Sequence, residues 1–199
     1  MLKSKVDSWT APEPFAPGRP FRRAVKTETM TSYPLQDTAT GAPRTERELD
    51  LEAIDDYPML ARCLSVWRAA QGGGGLPASL DVEGLDQAVL DYTMLLDYLP
   101  DTRDAKVRMV GSYIRQRATF QADGMRLRAF FEPRDAAIIA ATLGRIADNR
   151  MPSLARRSHV PIAGERLSYV RLILPLSADG GSVTGFFKTI EPASLSADV

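Results

Sequence analysis

Cysteine and histidine are almost absent from this chain of 199 residues, which contains one of each, Cys63 and His159. A single cysteine excludes an internal disulfide. One cysteine and one histidine are also too few for a zinc site that is built from several such ligands. A Ser-His-Asp or Cys-His catalytic set would have to use His159. Because no catalytic constellation is evident, we expect that the protein is not an enzyme.

Net charge and long apolar runs are also missing. Twenty-five Lys and Arg balance 25 Asp and Glu, so no overall field favours nucleic acid, and we expect no nucleic-acid partner. No stretch approaches about 18 consecutive apolar residues, the length that indicates a membrane span. The N-terminus lacks the apolar segment of a secretory signal. We therefore predict a cytoplasmic protein that does not insert into membranes.

Residues 1–48 are rich in proline, with six of the 14 prolines of the chain. They show neither helical nor strand periodicity, so they cannot bury enough apolar surface to offset the entropy lost on ordering. We interpret this segment as a disordered tail. It includes a group of basic residues that could contact an acidic partner: Arg19, Arg22, Arg23 and Lys26.

Residues 49–75 have the pattern of an amphipathic helix followed by a glycine hinge. Apolar residues recur every three or four positions between Glu52 and Gln71, and Gly72 to Gly75 then end the helix. The apolar face of this helix includes Leu60, Cys63, Leu64 and Trp67.

Residues 76–191 alternate between strand and helix patterns. Two strands are predicted at 92–99 and 106–112, short helices follow, and a longer helix should begin at Pro133 and end near Asn149. Three more strands are predicted at 158–162, 167–176 and 182–190, and residues 192–199 should be a flexible C-terminus. This order predicts an α+β fold in which a five-stranded antiparallel sheet has helices on one face.

Several motifs of this region resemble those of stand-alone bacterial PAS-domain proteins. The run from Trp67 to Pro77 is one, and Val107-Arg-Met-Val-Gly-Ser is similar to the Leu-Val-Gly-Thr strand end of that family. Leu174-Pro-Leu-Ser-Ala-Asp-Gly resembles its Leu-Pro-Leu-Ser-x-x-Gly hairpin, whereas Gln121 to Met125 departs from the usual glycine-bounded segment. The resemblance covers roughly residues 55–191. It implies a PAS-like module in bacterial signalling that senses a small-molecule ligand or binds a signalling protein. The resemblance also implies dimerisation through the helix that precedes the domain, so we predict a homodimer with Leu60, Cys63, Leu64 and Trp67 in its interface.

A ligand of such a module would lie in the cleft between the sheet and the helices, where apolar residues are the usual lining. Haem is one cofactor to consider, with His159 as its axial ligand, because haem-binding PAS domains rely on a histidine. The sequence does not identify the ligand. Candidate pocket residues are Met94, Leu96, Met109, Ile139, Leu143 and Leu172.

An alternative is a structural scaffold or adaptor that has no small-molecule ligand. It would bind acidic partners through the basic tail and through arginines around the helical layer. Most surface arginines are solvated or paired to nearby acids, which is the plainer interpretation of the same residues. The arginines concerned are Arg126, Arg128, Arg134, Arg145, Arg150, Arg156 and Arg157.

Overall fold

The protein is described here from a computed structural model. The described residues are 45–71, 74–80, 85–117, 122–131, 133–162 and 165–197. Most of the predicted tail, residues 1–44, lies outside these ranges. None of the helices within them is long and apolar enough to cross a membrane.

The described residues form one antiparallel sheet of seven strands. From one edge of the sheet to the other, the strands lie in the order β1-β4-β5-β6-β2-β3. The short strand β7 is not part of this order and pairs with β5. Two parts of the chain therefore meet at its centre: the hairpin of β2 and β3, and the meander of β4, β5 and β6. The strands are β1 (Thr45–Leu49), β2 (Thr93–Leu99), β3 (Asp104–Val110), β4 (Ser153–Ile162), β5 (Glu165–Leu176), β6 (Gly185–Ile190) and β7 (Ser196–Ala197).

In the described part of the chain, four α-helices connect and cover the strands, and a 3-10 helix (Leu51–Asp56) precedes the first of them. The two longer α-helices begin with a proline, which has no backbone N–H to leave unpaired in the first helical turn. The helices are α1 (Pro58–Ala69), α2 (Gln87–Asp91), α3 (Ser112–Arg117) and α4 (Pro133–Asn149).

The predicted α+β class and antiparallel sheet are confirmed, but the count of five strands is wrong. The two additional strands are β1 and the short β7. Most of β1 falls within the segment interpreted as a tail, because Thr45-Glu-Arg-Glu-Leu has no apolar alternation. The strand forms by pairing with β4, where Glu46 lies opposite Arg157. Its polar side chains therefore have partners that only the folded chain brings to them.

Helices pack on both faces of the sheet. Side chains alternate along β5, so Leu172 and Leu174 point away from the face that carries Arg171 and Ile173. Both leucines are fully buried, and α1 is the helix that contacts β5 on their side. The carboxylate of Glu191 accepts hydrogen bonds from the first turn of α1, at 3.0 Å and 3.3 Å. The other face is covered by α4.

Candidate functional site

A small cavity lies between α4 and the sheet, with a volume of about 40 Å³. The helical side contributes mostly apolar groups: Leu127, Phe131, Ile139, Thr142 and Leu143. The sheet side combines two apolar residues with three cations: Leu96, Ile173, Arg157, Arg171 and Lys188. The cavity is therefore amphipathic.

The three cations share one face of the sheet because of the strand register. Tyr169, Arg171 and Ile173 alternate along β5 and so point to the same side. Arg157 of β4 lies opposite Tyr169, and Lys188 of β6 lies opposite Ile173. Adding Glu46 of β1 gives a set of ionisable residues from four neighbouring strands. We call Glu46, Arg157, Tyr169, Arg171 and Lys188 the strand-face cluster.

Arg171 is the most buried member of the strand-face cluster, with 1% of its surface exposed. Its guanidinium donates to the carboxylate of Glu46 and to Ser153, at 3.0 Å to the hydroxyl and 3.2 Å to the carbonyl oxygen. The carboxylate of Glu48 lies 3.5 Å away. A buried guanidinium needs this number of partners because leaving water is costly for a charge. The interactions of Arg171 therefore stabilise the fold.

Arg157 is also buried, at 8% exposed, but its hydrogen bonding is incomplete. Nε lies 3.1 Å from Oε2 of Glu46, close enough for an ion pair, yet it makes no hydrogen bond in the described residues. A side-chain hydrogen bond joins Arg157 to Tyr169. Burial acts to lower the pKa of Arg157, but Tyr169 and Glu46 outweigh it and raise the pKa above its usual value. The guanidinium is thus held in its charged form with one donor unused.

The surrounding cations determine the direction in which the pKa of Tyr169 is shifted. The residue is 3% exposed, and burial alone would raise its phenol pKa. The positive charges of Arg157, Lys188 and Arg171 together outweigh burial and hold the pKa of Tyr169 below its usual value. Positive charge therefore dominates this face of the sheet.

Lys188 has the weakest partner in the strand-face cluster. Its ammonium donates to the thioether sulfur of Met94 at 3.8 Å, and sulfur of this kind is a poor acceptor. Burial is the main cause that lowers the pKa of Lys188; Tyr169 opposes this effect, and Arg157 and Arg171 add to it. Among the described residues no carboxylate forms an ion pair with Lys188. This ammonium is the least compensated charge at the cavity.

Three of the six pocket residues proposed from the sequence, Leu96, Ile139 and Leu143, line this cavity. Met94 lies beside it as the partner of Lys188. Met109 lies on β3 next to the surface, and Leu172 is in the core on the opposite face of the sheet. The proposed apolar residues therefore divide between the cavity and other parts of the core.

Sequence reasoning did not find the strand-face cluster. It placed Arg157 on a basic surface, and it did not consider Arg171, Lys188, Tyr169 or Glu46 as site residues. A signal was present, because Arg171 interrupts the apolar second half of β5 and Lys188 is the one charge in β6. Such residues are rarely buried unless they are paired or have a function.

The four residues proposed for a dimer interface are buried against other parts of the same chain. Leu60, Cys63, Leu64 and Trp67 are between 0% and 3% exposed, and the indole Nε1 of Trp67 donates to the carbonyl oxygen of Pro175 at 2.8 Å. Burial raises the pKa of the Cys63 thiol to about 12, with a smaller contribution from the charge of Glu191. A dimer through these side chains would require α1 to leave the sheet.

His159 is in β4, where the structure describes its backbone but not its side chain. Haem ligation by His159 therefore stays a prediction. Within the described ranges, no group of three or more His, Cys, Asp or Glu side chains is placed to hold a metal ion.

Comparisons with protein-family models, curated proteins and solved structures gave no match. Functional inference therefore depends on the geometry of this chain and on its own sequence motifs. The amphipathic cavity beside the strand-face cluster combines an apolar lining with three cationic side chains.

Proposed function

We propose that the protein is a non-catalytic PAS-like sensory or protein-interaction module in bacterial signalling. The order of elements supports this proposal, because a hairpin, a series of helices and a three-stranded meander follow one another as the sequence resemblance implies. The observation that carries the proposal is the cavity between α4 and the sheet, where a PAS-type ligand is expected. Ligand occupancy would change the packing of α4, and a partner protein would respond to that change.

A non-catalytic role agrees with how the reactive side chains are used. Cys63 is buried with a pKa raised to about 12, so almost none of it is the reactive thiolate at neutral pH. Asp104 is buried, and its carboxylate accepts hydrogen bonds from the backbone of Ala105 and the side chain of Arg128. Both groups serve packing or pairing. We propose a cytoplasmic location because the chain contains a single cysteine, which is typical of a reducing compartment.

The scaffold alternative depends on arginines that are largely paired. Arg128 forms an ion pair with Asp104, and Arg145 forms one with Glu48. Arg150 donates to the carbonyl oxygen of Gly180 at 3.0 Å. Arg157 is buried in the strand-face cluster. These pairings reduce the charge that the helical layer presents to an acidic partner, so we favour the ligand-binding module.

Native mass spectrometry of the protein purified from its own host tests the proposed function. We expect a small molecule that stays bound in the native spectrum and is released on denaturation. Ile139→Phe should displace it, because this side chain lines the cavity. Ile138→Phe is the matched control, since Ile138 is adjacent but 41% exposed. A spectrum that contains only the bare protein mass would contradict ligand sensing.

A truncation that begins at Thr45 separates the two hypotheses. It removes the basic tail but keeps β1, which pairs with β4 and supplies Glu46. Ligand binding should survive this truncation, whereas partner binding through the tail should be lost. Truncation at residue 48, the boundary expected from the sequence, would also remove Glu46 and would destabilise the fold.

A further inference from the structure

We infer that the cavity binds a small carboxylate with a short apolar tail, an inference that rests on the proposed function and specifies its ligand class. This inference depends on two hydrogen-bond donors. They are Nε of Arg157, which is buried and makes no hydrogen bond, and the ammonium of Lys188, whose acceptor is a thioether. Both residues line the cavity.

A buried donor without a hydrogen bond, such as Nε of Arg157, is unusual. About nine in ten buried polar groups in proteins are hydrogen-bonded, because an unsatisfied buried group costs roughly 1–3 kcal/mol. One anionic ligand in the cavity can accept from this Nε and also replace the thioether as the acceptor of Lys188, because Arg157 on β4 and Lys188 on β6 both line the cavity from the two sides of β5. Charged donors also make the stronger hydrogen bonds to carboxylates. The ligand would therefore stabilise the fold as well as occupy the cavity.

The charges around the cavity indicate a ligand with a single negative charge. Arg157 and Arg171 share the carboxylate of Glu46, and Asp135 on α4 adds negative charge near Arg157. Glu48, which lies near Arg171, is itself paired with Arg145. Lys188 has no ion-pair partner among the described residues. One carboxylate would balance this ammonium, whereas a phosphate dianion would add a second negative charge beside Glu46.

The remaining wall of the cavity requires an apolar group. Leu127, Phe131 and Leu143 face the cations across the cavity, and these side chains offer nothing to a fully polar ion. The cavity has a volume of about 40 Å³, which is room for roughly three water-sized groups. This space accommodates a carboxylate and the first carbons of its chain.

Calorimetric titration of the full chain with butyrate and with butanamide tests this inference. The two compounds have the same number of non-hydrogen atoms and differ in charge. We expect butyrate to bind at least tenfold more tightly than butanamide. Equal affinities, or no heat from either compound, would overturn the inference. Binding of inorganic phosphate with no binding of butyrate would also overturn it, because the apolar wall would then have no role.

Lys188→Met tests the role of the ammonium. This variant should bind butyrate at least tenfold more weakly and lose the preference over butanamide. Lys106→Met is the control, because Lys106 is an exposed lysine on β3 of the same sheet. Thermal melts establish that both variants are folded. If Lys188→Met is unfolded, Ile139→Phe provides the second test, and undiminished butyrate binding by it would overturn the inference.

The outcomes separate this inference from the proposed function. A neutral compound that co-purifies and is displaced by Ile139→Phe would support the ligand-binding module and overturn the carboxylate. A co-purifying monocarboxylate would support both. Butyrate binding by a protein that purifies without a ligand would support the carboxylate site alone.

Discussion

The guanidinium of Arg171 on β5 donates a hydrogen bond to the carboxylate of Glu46 on β1, across 125 positions of the chain. Arg157 lies on the other side of the same carboxylate, with Nε 3.1 Å from Oε2. One side chain from an edge strand therefore compensates two buried arginines. Because these pairs span the sheet, their strength should appear in the stability of the whole fold.

Glu46→Gln should lower the free energy of unfolding by about 3 kcal/mol, because it leaves two buried guanidinium groups without their shared carboxylate. Urea unfolding at pH 7 measures the effect. Glu52→Gln is the control, since Glu52 is exposed and its substitution should change the stability by less than about 0.5 kcal/mol. Equal midpoints for the two variants would show that the Glu46 pairs contribute nothing net.

The contribution of Glu46 should depend on pH. Burial acts to raise the pKa of Glu46, but Arg171 and Arg157 outweigh it and hold the pKa below the ordinary value of 4.5. A carboxylate with a lowered pKa in the folded state stabilises the fold above its unfolded pKa, and this contribution is lost as the pH falls through the folded pKa. The stability gap between the wild type and Glu46→Gln should therefore be constant from pH 7 to about pH 5 and narrow below about pH 4.5. Parallel stability curves down to pH 3 would contradict this assignment.

Gly111→Ala should destabilise the protein by about 3 kcal/mol or prevent folding. A Cβ atom at Gly111 would lie 2.1 Å from the carbonyl oxygen of Leu90 and 2.4 Å from that of Asp91. Backbone atoms at those distances cannot move aside as a flexible side chain can. The control is Gly181→Ala, where the nearest atom is 3.5 Å away. A thermal melt of Gly111→Ala that matches the control would contradict the close approach of β3 and α2.

Cys63 should not react with Ellman's reagent in the native protein at pH 8. Burial raises the thiol pKa to about 12, so only about one thiol in ten thousand is ionised at that pH, and the reagent cannot reach the residue. Full reaction is expected in urea, which serves as the positive control.

The same measurement bears on the predicted homodimer. If α1 leaves the sheet to pair with a second copy, sedimentation should show a dimer, and Cys63 should become reactive when dilution separates the two helices. A dimer whose thiol stays unreactive throughout dissociation would assign the interface to surfaces other than Leu60, Cys63, Leu64 and Trp67.

The order and type of most elements could be predicted from the sequence. The helix predicted from Pro133 to Asn149 is α4 with the same bounds, and the strand predicted at 92–99 is β2 with a start one residue later. Both depend on local signals, a first-turn proline and a run of large apolar residues between turns. Local periodicity is a strong predictor because it reflects which side of an element faces the core.

Only part of the candidate site could be predicted from the sequence. Leu96, Ile139 and Leu143 were proposed from the sequence because they are apolar and belong to elements that could enclose a cleft. Glu46 was assigned to a tail, since β1 has no apolar alternation and forms only against β4. Pairing between distant strands is set by register and side-chain complementarity, which local pattern does not encode.

The sequence by itself determined the α+β class, the hairpins and the apolar surfaces that make the core, because helix and strand periods are local properties of the chain. The tertiary structure alone decided that Glu46, Arg157, Tyr169, Arg171 and Lys188 meet on one face beside a cavity. Glu46 comes from β1, which is far in sequence from its neighbour β4, whereas the other four residues come from the consecutive strands β4, β5 and β6. Their charges acquire a shared environment, and shifted pKa values, only when the register of those strands is fixed.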